Sequence, residues 1–159
     1  MNLEQAQQLA RDLGIELGGS PDSYALSNEG EVHLSFEGNL PVHMRYYGST
    51  LILSSIVATD IAMDDPGLFA NLMDYQFMGI RTLGCVMSWN SGSDCLLLSR
   101  QLHGNPTARQ LAHELNILLR ASLRVKEEIK PLIEGDFSLI EQGNGTGAEA
   151  LLSAQLMRV

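Results

Sequence analysis

The stretch Asp65-Pro66-Gly67-Leu68-Phe69-Ala70-Asn71-Leu72-Met73-Asp74-Tyr75-Gln76-Phe77-Met78-Gly79-Ile80 decides how the chain is read. Asp65 followed by Pro66 is a helix start: an N-cap carboxylate, then a residue whose missing N–H is harmless in the first turn. Gly79 or Thr82 supplies the stop, so the spacing predicts a helix over 66–79. Along it Leu68, Phe69, Ala70, Leu72, Met73, Tyr75, Phe77, Met78 and Ile80 leave only Asn71, Asp74, Gln76 and Gly79 for water. A helix apolar nearly all round must be covered on more than one side. One sheet can cover one side only, and the remainder would form a contiguous exposed patch. A second copy of the chain related by a two-fold axis is one way to cover it. The other is flanking by the first and last helices within a single copy.

Working outward, the preceding segment alternates. Val32, Leu34 and Phe36 are separated by polar residues, as are Val42, Met44 and Tyr46, with Gly38-Asn39 as the turn between two strands. A third strand, Leu51 to Ala58, is apolar on both faces, as is the later run Cys95 to Ser99, and both faces of the sheet are expected to be covered there. Leu83 to Trp89 and Asp94 to Leu102 form a hairpin around Asn90-Ser91-Gly92-Ser93. Leu3, Ala6, Leu9, Ala10 and Leu13 mark a first amphipathic helix ending at Gly14. A long last helix starts near Thr107 with Ala108, Leu111, Leu115, Leu118, Leu119 and Val125 on its apolar face, and is expected to stop before Pro131. The fold class is therefore α+β, in the order α-β-β-β-α-β-β-α, with a twisted, mainly antiparallel sheet flanked by helices. One domain covers residues 1–130. Residues 131–159, with Gly143, Gly145 and Gly147, read as a flexible tail carrying a short helix over 148–157.

Composition narrows the function. Of 159 residues, 45% are hydrophobic and 18% charged, and the net charge is −9. That is globular composition. A phosphate backbone or an anionic membrane would be repelled, which argues against a nucleic-acid or membrane partner. The N-terminus has no basic region followed by an apolar core, so the protein is expected to stay in the cytoplasm. Cys85 and Cys95 are too few for a disulfide framework and read as buried thiols. Seven Met residues suit surfaces that accept varied sequences, though helical or strand spacing equally fits them to a core.

Motifs that resemble chemistry do not complete it. His113-Glu114 begins a zinc-protease motif, but the second His position one turn on is Ile117. His33, His43 and His103 lie in different elements with no carboxylate at ligand spacing. Gly143-Asn144-Gly145-Thr146-Gly147 follows no strand and lacks the Lys-Ser/Thr ending of a nucleotide loop. The serines of the 90–94 turn have no elbow glycines. Glu127-Glu128 and Asp64-Asp65 are adequately explained by helix ends. The reading calls for no catalytic residue, no metal and no cofactor.

This order of elements, with Leu68-Phe69-Ala70-Asn71-Leu72-Met73-Asp74-Tyr75-Gln76, Gly79, the Leu83-to-Trp89 strand and Cys95-Leu96-Leu97-Leu98, resembles the class I type III secretion chaperones of the Tir-chaperone type from Leu3 to about Glu128. The family's Leu-Leu-x-Ala-Asn stretch reads Leu72-Met73-Asp74-Tyr75-Gln76 here, so its small residue and Asn are replaced. The resemblance implies a homodimer built through the second helix and adjoining strand, here Leu68, Leu72, Met73, Phe77, Val86 and Trp89. It implies that the N-terminal segment of a secreted effector is bound in extended form over apolar grooves and a sheet edge, with a secretion ATPase releasing the cargo. Leu3, Leu9, Leu13, Val32, Leu34, Phe36 and Met44 are the candidate effector groove. A core role fits the same residues equally, since alternation predicts a buried face without naming what buries it. A binding protein of the same fold, or of the YbjN-like fold, acting on a transcriptional regulator is the alternative.

Overall fold

The computed structural model describes residues 1–36, 40–61 and 64–134; the predicted Gly38-Asn39 turn and the tail from Gly135, with its helix over 148–157, lie outside them. The elements are α1 (Leu3–Glu16), β1 (Glu31–Phe36), β2 (Leu40–Tyr47), β3 (Thr50–Thr59), α2 (Pro66–Gln76), β4 (Val86–Asn90), β5 (Cys95–Leu102) and α3 (Ala108–Ile133). The α+β class and the α-β-β-β-α-β-β-α order follow the sequence reading. Every strand pairing is antiparallel, and the sheet order is β1-β2-β3-β5-β4. The chain leaves the sheet after β3, runs through α2, and re-enters at the far edge as β4.

Local chemistry sets the helix starts. Asn2 caps α1 and Thr107 caps α3, each in a reciprocal capping box with the Gln three residues on, satisfying amides that the first turn leaves unpaired. Asp65 accepts a hydrogen bond from the Gly67 amide, with Pro66 opening α2, as read from sequence. Four boundaries differ from expectation: α1 runs past Gly14 to Glu16, and β4 begins at Val86 rather than Leu83, where Leu83 and Gly84 both take left-handed backbone. The last helix continues through Pro131 to Ile133, because the ring sits only two residues from the end and Ile129 and Leu132 anchor that turn in the core. The second helix stops at Gln76; Phe77–Gly79 form a separate 3₁₀ turn in which Met78 and Gly79 both take left-handed backbone, φ 54° and 66°. A Cβ on Gly79 would lie 3.2 Å from the Gly84 Cα, and the Gly84 amide donates to the Gly79 carbonyl, so the 79–84 loop closes tightly on itself.

A single core lies on one face of the sheet. It joins Val42 and Met44, Leu51, Leu53 and Val57, Met87, and Leu96, Leu98 and Leu102 to α1 (Ala6, Leu9, Ala10, Leu13) and α3 (Leu111, Leu115, Leu118, Ala121, Val125, Ile129). On the opposite face Ile52, Ile56 and Leu97 are only half-buried. The expectation that both sheet faces are covered is thus corrected: among the described residues the second face is only partly covered. The hairpin register also sets His33 directly opposite His43, with Glu31 on the same face, so these histidines do lie beside a carboxylate, contrary to the reading from spacing alone.

α2 is fixed to α3 by Leu68, Leu72 and Tyr75, all buried. The Tyr75 hydroxyl donates to Glu128 Oε2 at 2.6 Å, Arg124 Nε donates to Glu128 Oε1 at 2.7 Å, and the Arg81 guanidinium sits 5.3 Å from the Tyr75 ring centre. Burial, then the Glu128 hydrogen bond and charge, pushes the Tyr75 phenol far above its usual value. Burial alone would raise Glu128, but the Tyr75 and Arg124 hydrogen bonds outweigh it and hold the carboxyl below its ordinary range. A depressed folded-state pKa gives stabilisation that is present above the ordinary carboxylate value and lost as pH falls through the folded one. Tyr75→Phe should therefore cost about 1 kcal/mol near pH 7, small because Glu128 is half open to water. Denaturant titrations should show the gap from wild type shrinking below about pH 4; a gap unchanged at pH 3 would contradict the assignment.

Candidate interaction surface

α2 carries two apolar stripes one residue out of phase. Leu68, Leu72 and Tyr75 are taken up by α3 and the core, while Phe69 and Met73, and Phe77 just past the helix end, face out at 48%, 44% and 69% exposure. Beyond the helix end, Met78, Ile80 and Leu83 are exposed too, and the edge strand β4 adds Val86 and Trp89. Trp89 stands on the same face of β4 as the buried Met87, whereas Val86, three residues before it, points from the opposite face. The left-handed backbone at Met78, unusual for a non-glycine residue, helps hold Phe77 and Met78 toward solvent.

Hydrogen bonds hold this loop and strand in place. Gln76 ties the helix end to β4, its side-chain nitrogen donating to the Cys85 carbonyl at 3.2 Å and its oxygen accepting from the Met87 amide at 2.9 Å. The buried Thr82 hydroxyl donates to the same Cys85 carbonyl at 2.7 Å, and Arg100 Nη1 reaches the Leu83 carbonyl while its Nε pairs with Glu114 of α3. Cys85 is buried, and burial raises its thiol pKa despite the neighbouring Arg100, so it is held as the neutral thiol. The apolar side chains therefore project from a framework fastened to both the sheet and α3.

Of the residues read from sequence as interface, Met73, Phe77, Val86 and Trp89 are exposed, Val86 on the opposite face of β4 from Trp89. Leu68 and Leu72 do not, at 5% and 0% exposure; they are corrected to core residues of α2 because α3 takes up their stripe. Phe69, Met78, Ile80 and Leu83 were missed as surface residues. The 69-73-77 spacing was the available signal, but two stripes on one helix look alike until the neighbouring helix chooses between them.

The candidate groove divides similarly. Leu9 and Leu13 of α1 and Met44 of β2 are buried in the core, so of the two roles that their pattern allowed they take the core one. Leu3, Val32, Leu34 and Phe36 keep partial exposure, the last three along the edge strand β1. Among the described residues no helix is long and apolar enough to cross a membrane.

The family model that describes the Tir chaperone protein (CesT) family matches residues 6–126, from α1 to well inside α3. The chain belongs to the Tir chaperone protein (CesT) family. It is a chaperone family, and the one to which the sequence resemblance pointed. No curated protein matches the chain in sequence. Solved structures share the fold at low identity. One is the Yersinia pestis type III secretion chaperone SycH in complex with a stable fragment of YscM2, at 18% identity and TM-score 0.54, covering 74% of this chain and 97% of that one. Another is the HopA1–SchA chaperone–effector complex, at 13% identity and TM-score 0.59, covering 80% and 98%. The ExoU–SpcU complex of the Pseudomonas aeruginosa type III secretion system matches at 12% identity and TM-score 0.56, covering 81% and 98%. At such identities the likeness is one of fold.

Proposed function

We propose that this protein is a cytoplasmic type III secretion chaperone that works as a homodimer and holds the N-terminal segment of a secreted effector in extended, secretion-competent form. The observation that carries the reading is the exposed apolar ribbon of Phe69, Met73 and Phe77, with Trp89 exposed on the core-side face of β4, on a fold of the Tir chaperone protein family. Burying a large apolar side chain is worth roughly 1.5–3 kcal/mol, so pairing the ribbons of two copies would gain several kcal/mol even from half-exposed residues. A two-fold contact needs a self-complementary patch, and α2 with the outer strand offers one.

The opposite edge of the sheet is left for cargo. Among the described residues β1 pairs only with β2, and an extended segment could add along its outer edge while apolar side chains settle against Leu3, Val32, Leu34 and Phe36. Main-chain pairing is tolerant of sequence, which suits a chaperone that must hold an unfolded segment, and no nucleotide or cofactor enters the scheme. Release falls to the secretion ATPase. The net charge of −9 keeps a chain with so much exposed apolar surface soluble.

Two experiments test the two halves of this reading. In sedimentation equilibrium the wild type should be a dimer and the Met73→Asp/Phe77→Asp variant a folded monomer. Leu72→Ala should remain dimeric while losing about 2–5 kcal/mol of stability, because it hollows the core rather than the contact. A dimer that survives the double charge would overturn the interface. For the cargo, the secreted protein encoded in the adjacent reading frame should copurify through its N-terminal segment and slow amide exchange along β1. A partner held only through a folded regulatory domain, with β1 exchange unchanged, would favour the regulator reading instead.

A further inference from the structure

The outward face of the β1–β2 hairpin holds a feature that the chaperone reading does not use. Glu31 and His33 stand two residues apart on β1, hence on one face, and the register puts His43 of β2 directly across from His33. The two imidazoles stack with centroids 4.3 Å apart and planes 5° from parallel. One potential ligand atom from each of Glu31, His33 and His43 lies within 4.8 Å of the others. His43 Nε2 is shielded from solvent and has no aligned hydrogen-bond partner; Glu31 Oε2 is 3.4 Å from it.

We propose that Glu31, His33 and His43 form a binding site for a divalent transition-metal ion of the Zn²⁺ type. Metal–nitrogen and metal–oxygen bonds of about 2.0–2.2 Å in a tetrahedron put neighbouring ligand atoms about 3.4 Å apart. The separation of His43 Nε2 from Glu31 Oε2 already has that value. Two neutral imidazoles and one carboxylate select a borderline ion over Mg²⁺ or Ca²⁺, which prefer shells of oxygen. Arg45 Nε, 2.9 Å from Glu31 Oε1, anchors the carboxylate by one oxygen and leaves the other turned toward His43. Its positive charge opposes the ion, which limits affinity. Stacked rings do not aim their lone pairs at one point, so binding requires His33 to turn out of the stack, a rotation its exposed position permits. Water fills the fourth position. The ion would fasten the edge strand β1 to β2, at the end of the sheet remote from β4. This inference does not depend on the identity of any cargo.

The test uses the full-length chain without an affinity tag, stripped with chelator and kept reduced, and titrated with Zn²⁺ by calorimetry while imidazole ¹⁵N resonances are followed by NMR. The expected result is a single ion per chain that shifts the His33 and His43 rings. Binding should be unchanged in His103→Ala and weakened in His33→Ala by more than the roughly 10–100-fold typical of lost supporting contacts. His33 is an exposed strand residue, so this variant should keep its fold, and the wild-type ring shifts do not depend on any variant. Absence of saturable binding, binding that persists in the His33→Ala/His43→Ala variant, or shifts at His103 or His113 in place of the pair would overturn the proposal.

Discussion

Apolar residues on α2 point in two directions, and the rest of the molecule can satisfy only one of them. α3 lies across β3 and β5 and takes up Leu68, Leu72 and Tyr75, with the Tyr75–Glu128 hydrogen bond fixing the approach of the two helices. Once that stripe is used, Phe69, Met73 and Phe77 remain exposed among the described residues. No adjustment of α2 can hide both sets, because a rotation that buries one stripe exposes the other.

The surrounding framework keeps the second stripe outward. Gln76 bridges the helix end to β4 and the 79–84 loop closes through Gly79 and Gly84, so α2 and the edge strand are held as one surface. Exposed apolar area on a mobile loop could collapse back onto the protein; on this framework it stays presented. A family whose function is to escort other proteins has a use for such a surface, and the proposed division of labour follows from sheet topology. β4 and β1 are the two outer strands, and apolar contact at one leaves the other free for an extended segment.

The sequence carried the element order and most of the core, because alternation in the strands and three-to-four spacing in the helices are local signals. Val42, Met44, Leu111, Leu115 and Leu118 are buried as their spacing implies. Three kinds of information were not local. The choice between the 68-72-75 and 69-73-77 stripes depends on where α3 lies, which no spacing within α2 encodes. The passage of α3 through Pro131 depends on Leu132 reaching the core. The meeting of His33 with His43 depends on hairpin register, although Glu31-x-His33 alone already placed two ligand types on one strand face. Leu9, Leu13 and Met44 show the same limit from the other side: their pattern foretold burial without saying that the core of their own chain supplies it.

Trp89 gives the most direct access to the central claim, since it is the sole tryptophan and stands on the core-side face of β4, at 43% exposure. Its emission maximum and acrylamide quenching, followed on dilution of the purified chain, report whether that surface is covered by a second copy. The account predicts a blue-shifted, protected tryptophan at high concentration that becomes red-shifted and quenchable as the chain is diluted, and that is quenchable at all concentrations in the Met73→Asp/Phe77→Asp variant. A wild-type Trp89 as open to quencher at high concentration as at low would show that the ribbon remains bare, and would contradict it.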